Sequence, residues 1–275
     1  MILIMAKSNP QQSAPSTGSA PYAKESTLPV PLQRKSNIVI VMPAYNAALT
    51  LEKTYYALPE GSYDHIILVD DASSDNTLEI ASKLNLLTVR HRKNRGYGGN
   101  QKTCYTKAFE VGADVIVMLH PDYQYDPTIV RDIVQPILRG EADVVLASRL
   151  LGDPMGGGMP LYKFVANKFL TTLENFVLGT HLSEFHTGYR AYSRQALESV
   201  NFEANSENFV FDNEILVQFV IRKLRITEIP VSTRYSFDSS SVSFKAGVVY
   251  GLSILKTILK YLLFKWRIIK FKQFN

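Results

Sequence analysis

The stretch Val115-Ile116-Val117-Met118-Leu119-His120-Pro121-Asp122-Tyr123-Gln124-Tyr125-Asp126-Pro127 constrains the fold more than any other. Its apolar run is too short for a comfortable helix and follows Gly112-Ala113-Asp114, which suits a strand buried on both faces near the centre of a parallel sheet. The run ends in His120, Asp122, Gln124 and Asp126, and in open α/β sheets ligands sit beyond the carboxyl ends of the strands. Oxygen and imidazole donors at alternate positions can converge on one divalent cation, with nucleotide phosphates completing its shell. A polar turn closing a core strand, punctuated by Pro121 and Pro127, is the competing reading.

The first half of the chain repeats one unit. Residues 37–42 read as a buried strand that Pro43-Ala44-Tyr45-Asn46 ends in a loop, before a helical pattern over 49–58. Residues 65–69 read as a second strand running into Asp70-Asp71-Ala72-Ser73, followed by a helix over 77–84 with Asp and Ser available as caps. A third strand over 86–90 leads into Asn94-Arg95-Gly96-Tyr97-Gly98-Gly99-Asn100-Gln101-Lys102 and a helix over 103–111. Glycines let a backbone approach a bound group, a helix start offers N–H donors and Lys102 adds positive charge, so a diphosphate is a natural guest. A glycine turn that merely feeds a helix reads equally well, because Gly96, Gly98 and Gly99 match neither the dinucleotide nor the P-loop fingerprint. After the organising strand come a helix over 128–139 and a strand over 142–149 that closes in Ser148-Arg149. This alternation is the pattern of a doubly wound α/β sheet with helices on both faces.

Residues 152–160 hold four glycines and two prolines, too irregular for a helix or strand and long enough for a mobile lid. A helix is expected over 161–178. Two polar and aromatic clusters follow, Ser183-Glu184-Phe185-His186-Thr187-Gly188-Tyr189-Arg190-Ala191-Tyr192 and Asn208-Phe209-Val210-Phe211-Asp212-Asn213-Glu214. The second opens a helix running to residue 221, with Asp212 near its N-terminus, where simple capping would also favour these residue types.

Composition divides the chain into a flexible tail over 1–36, one domain over 37–238 and a basic tail over 239–275. The opening apolar run of residues 1–7 is too short for a signal peptide. The lone Cys104 excludes an internal disulfide and suits a reducing cytosol; a buried small hydrophobe and a reactive thiol are its two readings. The net charge of +5 and pI of about 9.1 would suit nucleic acid only if the basic residues clustered on a folded face. They gather instead in the last segment, where residues 239–275 carry seven Lys or Arg and no acid, so an anionic membrane surface is the expected partner and nucleic acid is not. Residues 247–271 could span a bilayer, but Lys256 and Lys260 fall in mid-window, each costing about 2.5–3.5 kcal/mol on insertion scales. A helical projection places Ser253, Lys256, Lys260, Arg267 and Lys270 on one side, the pattern of an amphipathic helix lying at the cytoplasmic face of a membrane. Packing on the protein's own core, or a homo-oligomer interface, is the alternative.

The order of these motifs resembles the inverting family-2 glycosyltransferases of GT-A fold, and within them the polyprenol-phosphate and dolichyl-phosphate sugar synthases. The likeness covers roughly residues 37–229. It rests on Pro43-Ala44-Tyr45-Asn46, on Val69-Asp70-Asp71-Ala72-Ser73, on Asn94 to Lys102 and on His120-Pro121-Asp122-Tyr123-Gln124, with Ala147-Ser148-Arg149 and Thr187-Gly188-Tyr189-Arg190 after them. It implies a GT-A mixed sheet and transfer from a nucleotide-diphosphate sugar with manganese or magnesium. Pro43, Ala44, Tyr45, Asp70 and Asp71 would hold the nucleoside, Gly96, Lys102 and Asp122 the diphosphate, and His120, Asp122 and Gln124 the metal. Two departures stand out: Ala47 replaces the usual acid after Tyr-Asn, and His120 replaces the first aspartate of Asp-X-Asp. For a hydroxyl acceptor, a glycan among them, Asp212 is the candidate base with Glu214 behind it. For a lipid-linked phosphate no base is needed, and Arg149 and Arg190 are the candidate clamps. A nucleotidyltransferase and a non-catalytic, membrane-associated nucleotide-sugar binder are the rival functions.

Overall fold

The computed structural model describes residues 36–234 and 244–274. Most of the expected N-terminal tail and the start of the basic C-terminal segment lie outside the described residues. The elements run β1 (Ile38–Ala44), α1 (Leu51–Tyr56), β2 (His65–Asp70), α2 (Thr77–Lys83), β3 (Leu87–Arg90), α3 (Gly96–Glu110), β4 (Val115–Met118) and α4 (Val130–Leu138). They continue with β5 (Val144–Ser148), α5 (Leu161–Leu178), β6 (Arg190–Ser193), α6 (Arg194–Glu198), α7 (Phe211–Ile221), β7 (Ile226–Pro230) and α8 (Phe244–Lys265).

The seven strands form one sheet in the order β3-β2-β1-β4-β6-β5-β7, with β4 at its centre. Side chains alternate across β4: Ile116 and Met118 join the core on one face with Val39 and Val41, while Val115, Val117 and Leu119 join the other with Ile40 and Met42. A strand packed on both faces needs apolar residues at every position, which is why its sequence is an unbroken run.

Strands β3, β2, β1 and β4 are parallel, whereas β6 is antiparallel to both of its neighbours, β4 and β5. The reversal places the N-terminal end of β6, where Arg190 pairs with Met118, at the carboxyl edge of β4. The loop that precedes β6 therefore joins the loops that follow β1, β2, β4 and β5. Residues 183–192 read in sequence only as a polar cluster, because four residues of strand beside a short helix carry little periodicity of their own.

Two further readings need correction, the start of α3 and the outward place of Lys260. Helix α3 begins at Gly96, not at residue 103, so the glycines lie in its first turn. Their role is tertiary: a Cβ on Gly98 would collide with the carbonyl of Ser206 and one on Gly96 would stand 2.7 Å from that of Glu207. The close neighbour is the protein's own backbone. Residues 152–160 are laid against the segment after β7, since a Cβ on Gly152 or Gly157 would strike the carbonyl of Val231 or Thr233. Asp153 caps that loop by accepting from the amide of Gly156 at 2.8 Å. In α8, Lys260 does not belong to an outer basic stripe. Its ammonium turns inward to Glu214 at 3.3 Å and donates to Gln273 at 3.0 Å.

Helix α8 packs against α5 and α7 through one stripe, in which Ile254, Thr257, Ile258 and Tyr261 are buried. Its outer stripe is apolar too: Val248, Val249, Leu252, Leu255 and Leu259 are exposed. Helix α5 does likewise, with Leu161, Val165, Phe169 and Phe176 exposed one or two turns apart.

Candidate active site

Two adjoining cavities open at the carboxyl edge of the sheet, sharing Tyr97, His120, Asp122 and Phe209 as their common wall. The larger lies over the ends of β1 and β2 and the start of α3, lined by Pro43, Ala44, Tyr45, Asn46, Asp71, Asn94, Gly96 and Asn100. The smaller lies over β4, β5 and β6, lined by Gln124, Tyr125, Arg149, His186, Gly188, Asp212 and Tyr250.

In the larger cavity the backbone is shaped locally. Asp71 accepts from the amides of Arg95 at 2.8 Å and Gly96 at 3.0 Å and stands 2.7 Å from Nδ1 of His91, so its carboxylate holds the approach to α3 in place. Asn46, Ala72 and Tyr123 have positive φ values of 52°, 64° and 56°, just past the ends of β1, β2 and β4. Non-glycine residues in this region store strain, and strain gathers where loops must present groups to a ligand. Asp70, by contrast, is fully buried and outside the cavity lining; one oxygen accepts from the amide of Ser73 at 3.2 Å and the other has no hydrogen bond among the described residues.

The expected phosphate-binding parts are placed elsewhere. Lys102 is 5% exposed and its ammonium donates to the carbonyl of Asn205 at 2.6 Å, away from both cavities. The amides of Gly96 and Gly98, in the first turn of α3, are already taken, the first by Asp71 and Asn94 and the second by the carbonyl of Glu207.

At the common wall, Tyr97 donates its hydroxyl proton to Asp212 at 2.5 Å and lies 3.0 Å from Nε2 of His120. Burial first, and then the Asp212 charge, push the Tyr97 phenol well above its ordinary range, so it stays protonated. With its only proton given to Asp212, Tyr97 accepts from His120, whose Nε2 must then carry a hydrogen. That leaves only Nδ1 of His120 as a possible metal donor. The ring stacks on Tyr97 at 5.3 Å, and Gly188 makes room for it, since a Cβ there would lie 2.9 Å from Nε2. Among the described residues no three His, Cys, Asp or Glu side chains converge as a metal cluster. Asp122, between the two cavities, fits a hard cation that takes one or two carboxylates and completes its shell with substrate phosphates.

In the smaller cavity the charges are paired. Arg149 reaches the rim with its side chain 12% exposed; it donates from Nε to the fully buried Glu184 at 2.7 Å and from Nη2 to the carbonyl of His186 at 2.9 Å. Burial alone would raise the Glu184 carboxyl, but Arg149 outweighs it and holds the group below its usual range. Asp212 accepts from Gln101 at 3.0 Å as well as from Tyr97. Arg190 is fully buried, its guanidinium donating to the carbonyls of Thr187, Asp212 and Phe185 with the Asp212 carboxylate at 3.9 Å. It is an internal strut and not a clamp on a ligand. Glu214 is also withdrawn, accepting from the amide of Ser206 at 2.6 Å and facing Lys260. Sequence reasoning did not name Tyr97, Phe209, His186 or Tyr250 as site residues; the Gly-Tyr-Gly setting of Tyr97 and the two polar and aromatic clusters that hold His186 and Phe209 were the available signals, and Tyr250 had none.

Residues 39–200 match the model for glycosyl transferase family 2. The chain belongs to that family. The glycosyltransferase is 29% identical over 239 residues to the UDP-N-acetylglucosamine–dolichyl-phosphate N-acetylglucosaminyltransferase of Methanococcus voltae, covering 81% of this chain and 94% of that protein. It is 25% identical over 215 residues to the polyprenol monophosphomannose synthase of Mycolicibacterium smegmatis, covering 74% and 80%. Its fold is that of glucosyl-3-phosphoglycerate synthase from Mycobacterium tuberculosis, with a TM-score of 0.65 at 19% identity over 82% of this chain and 80% of that one. The GT-A sheet expected from the motifs is thereby shown, and nucleotidyl transfer is set aside as the activity.

Proposed function

We propose that this glycosyltransferase moves a sugar from a nucleoside diphosphate sugar to a lipid-linked phosphate, with inversion at the anomeric carbon. The observation that carries the reading is the meeting of two cavities at His120 and Asp122. A nucleotide fits the larger one, against Pro43 to Asn46 and the loop built on Asp71, which puts its diphosphate at Asp122 and its sugar at the mouth of the smaller one. Arg149 there is the charged group within reach of an anionic acceptor, and Asp212, held by Tyr97 and Gln101, faces the same space. Asp122, with Nδ1 of His120 or the side-chain carbonyl oxygen of Gln124, would hold a divalent cation. Such a cation neutralises charge on a departing diphosphate. A crystal structure of glucosyl-3-phosphoglycerate synthase with Mn2+ and uridine diphosphate supports that part of the reading. The two lipid-phosphate relatives support the choice of acceptor.

The apolar outer stripes of α5 and α8 suit this acceptor. Leu161, Val165, Phe169, Val248, Leu252 and Leu259 are all about half exposed or more, on two helices packed side by side. Large exposed apolar patches mark interaction sites, and a bilayer is the occupant that also brings the acceptor. The span Ala246–Lys265 is long and apolar enough to cross a membrane, but its inner stripe is seated on α5 and α7, which favours a helix that lies on the surface.

The test is incubation with a panel of nucleotide sugars, manganese and a polyprenyl phosphate, with mass spectrometry of the lipid product. A sugar-phosphate lipid of inverted configuration is expected; glycosylation of soluble hydroxyl acceptors alone would overturn the lipid reading. Flotation with anionic vesicles tests the surface: release by carbonate is expected, retention would mean that α8 spans, and dimers without vesicle binding would assign the patch to a second copy.

A further inference from the structure

At the edge of the sheet away from the active site, the last turns of α5, α7 and α8 enclose a groove together with the start of β7. Tyr250 lines the smaller cavity and Tyr261 lines the groove; they are eleven residues apart on α8, about 16 Å of helix, so the two sites are separate. Two of the three helical walls, α7 and α8, lie beyond the residues matched by the family model.

The floor of the groove is apolar, with Leu178, Leu182, Ile221, Leu224 and Phe264 buried or half-buried along it. Its rim is basic: Lys223, Lys265 and His181 are all exposed. No Asp or Glu lines it, and residues 178–182, 220–226 and 261–274, which build it, contain none. The Lys265 ammonium lies 5.5 Å from the centre of the Tyr261 ring instead of on a carboxylate. Each helix C-terminus carries about half a negative charge, and the exposed Arg222, Lys223, Lys265 and Arg267, in or just past the last turns, outweigh it.

Resting on the membrane-surface reading above, we propose that this groove holds one anionic phospholipid of the bilayer, its phosphate between Lys223 and Lys265 and an acyl chain along the apolar floor. Charge selects the headgroup: a rim without an acid attracts a net negative group and offers nothing to the amine of a zwitterionic one. The floor selects a ligand with a chain, because a free phosphate would leave that apolar surface in water. Continuity selects the source. The exposed Phe176 and Leu259 of the two outer stripes stand within one turn of Leu178 and Tyr261, and Trp266 and Ile268, just past α8, are exposed as well. Apolar stripes that end in lysines, arginines and a tryptophan suit the headgroup level of an anionic bilayer. A lipid held there pins the far end of α8, while the near end lines the smaller cavity through Tyr250.

The experiment uses the full chain in two arms. In the first, calorimetry with dihexanoyl phosphatidylglycerol below its micelle concentration should show one lipid per chain. Dihexanoyl phosphatidylcholine and inorganic phosphate should bind more weakly by about 10-fold or more. Lys223→Gln and Lys265→Gln, both at exposed positions, should each weaken phosphatidylglycerol about 5-fold, the worth of one lysine near an anionic lipid. Lys256→Gln, exposed on α8 outside the groove, should leave that affinity unchanged. In the second arm, Trp266, the only tryptophan, should be quenched more by vesicles whose phosphatidylglycerol carries brominated chains than by vesicles of the same composition whose phosphatidylcholine carries them. Equal affinity for phosphatidylcholine or for inorganic phosphate would overturn the proposal, and so would an equal loss in Lys256→Gln, the mark of diffuse attraction. Dimers that the lipid does not dissociate would assign the groove to a second copy and overturn it too. A chain that binds the soluble lipid selectively but does not float with anionic vesicles would overturn the membrane-surface reading and leave the lipid site standing; one that floats without selectivity would do the reverse.

Discussion

The two halves of the site are built on different principles. The larger cavity is assembled from strand ends and the loops next to them, and its carboxylate, Asp71, is held by backbone amides and a histidine within 25 residues. The smaller cavity and its surroundings are assembled from side chains of different elements and loops that pair with one another: Arg149 with Glu184, Arg190 with Asp212, His186 with Glu174 and Lys260 with Glu214. One half is therefore legible from local pattern. The other is a set of buried pairs in which loss of one member strands its partner.

The sharpest break of this contrast is Asp122→Ala, which removes a half-buried carboxylate at a strand end and no apolar side chain of the core. Transfer should fall about 1000-fold or more while the melting temperature stays near that of the wild type. Full activity would remove Asp122 from the site. Arg190→Met should do the opposite. It strands three carbonyls and Asp212, and chemical denaturation should show a loss of about 3–5 kcal/mol, the range for a broken buried pair. Normal stability with weakened acceptor binding would return Arg190 to the role of clamp.

Lys102→Met separates the two assignments of that lysine. The structure predicts a stability cost of about 1–3 kcal/mol from the unpaired Asn205 carbonyl, with the donor KM unchanged. A large rise in KM with normal stability would restore the diphosphate role. For the pair at the rim, Glu184 is held below its unfolded value, so its stabilisation is complete above that value and lost as pH falls through the folded one. Acid unfolding of Glu184→Gln should accordingly show a weaker slope below about pH 4 than the wild type, a difference readable by circular dichroism. The smallest expected effect is in residues 152–160, proposed as a lid. Hydrogen exchange there should slow when nucleotide sugar and manganese bind, and equal exchange in both states would leave the loop as a fixed wall.

Sequence alone determined the parallel half of the sheet, the central place of β4 and the positions of Pro43, Asp71, His120 and Asp122 at strand ends. Periodicity and strand-to-loop boundaries are local, and a strand buried on both faces leaves the strongest of such signals. What only the tertiary structure decided is which polar residues face the cavity. Lys102, Arg190 and Glu214 carry the chemistry the site needs, yet they turn to Asn205, Asp212 and Lys260 instead. Tyr250 carried no motif and His186 stood only as one member of a polar cluster, yet both line it. The reason is that a buried charge goes to whichever partner satisfies it, and that partner is set by the reversal of β6 and the seating of α8, contacts between segments far apart in the chain.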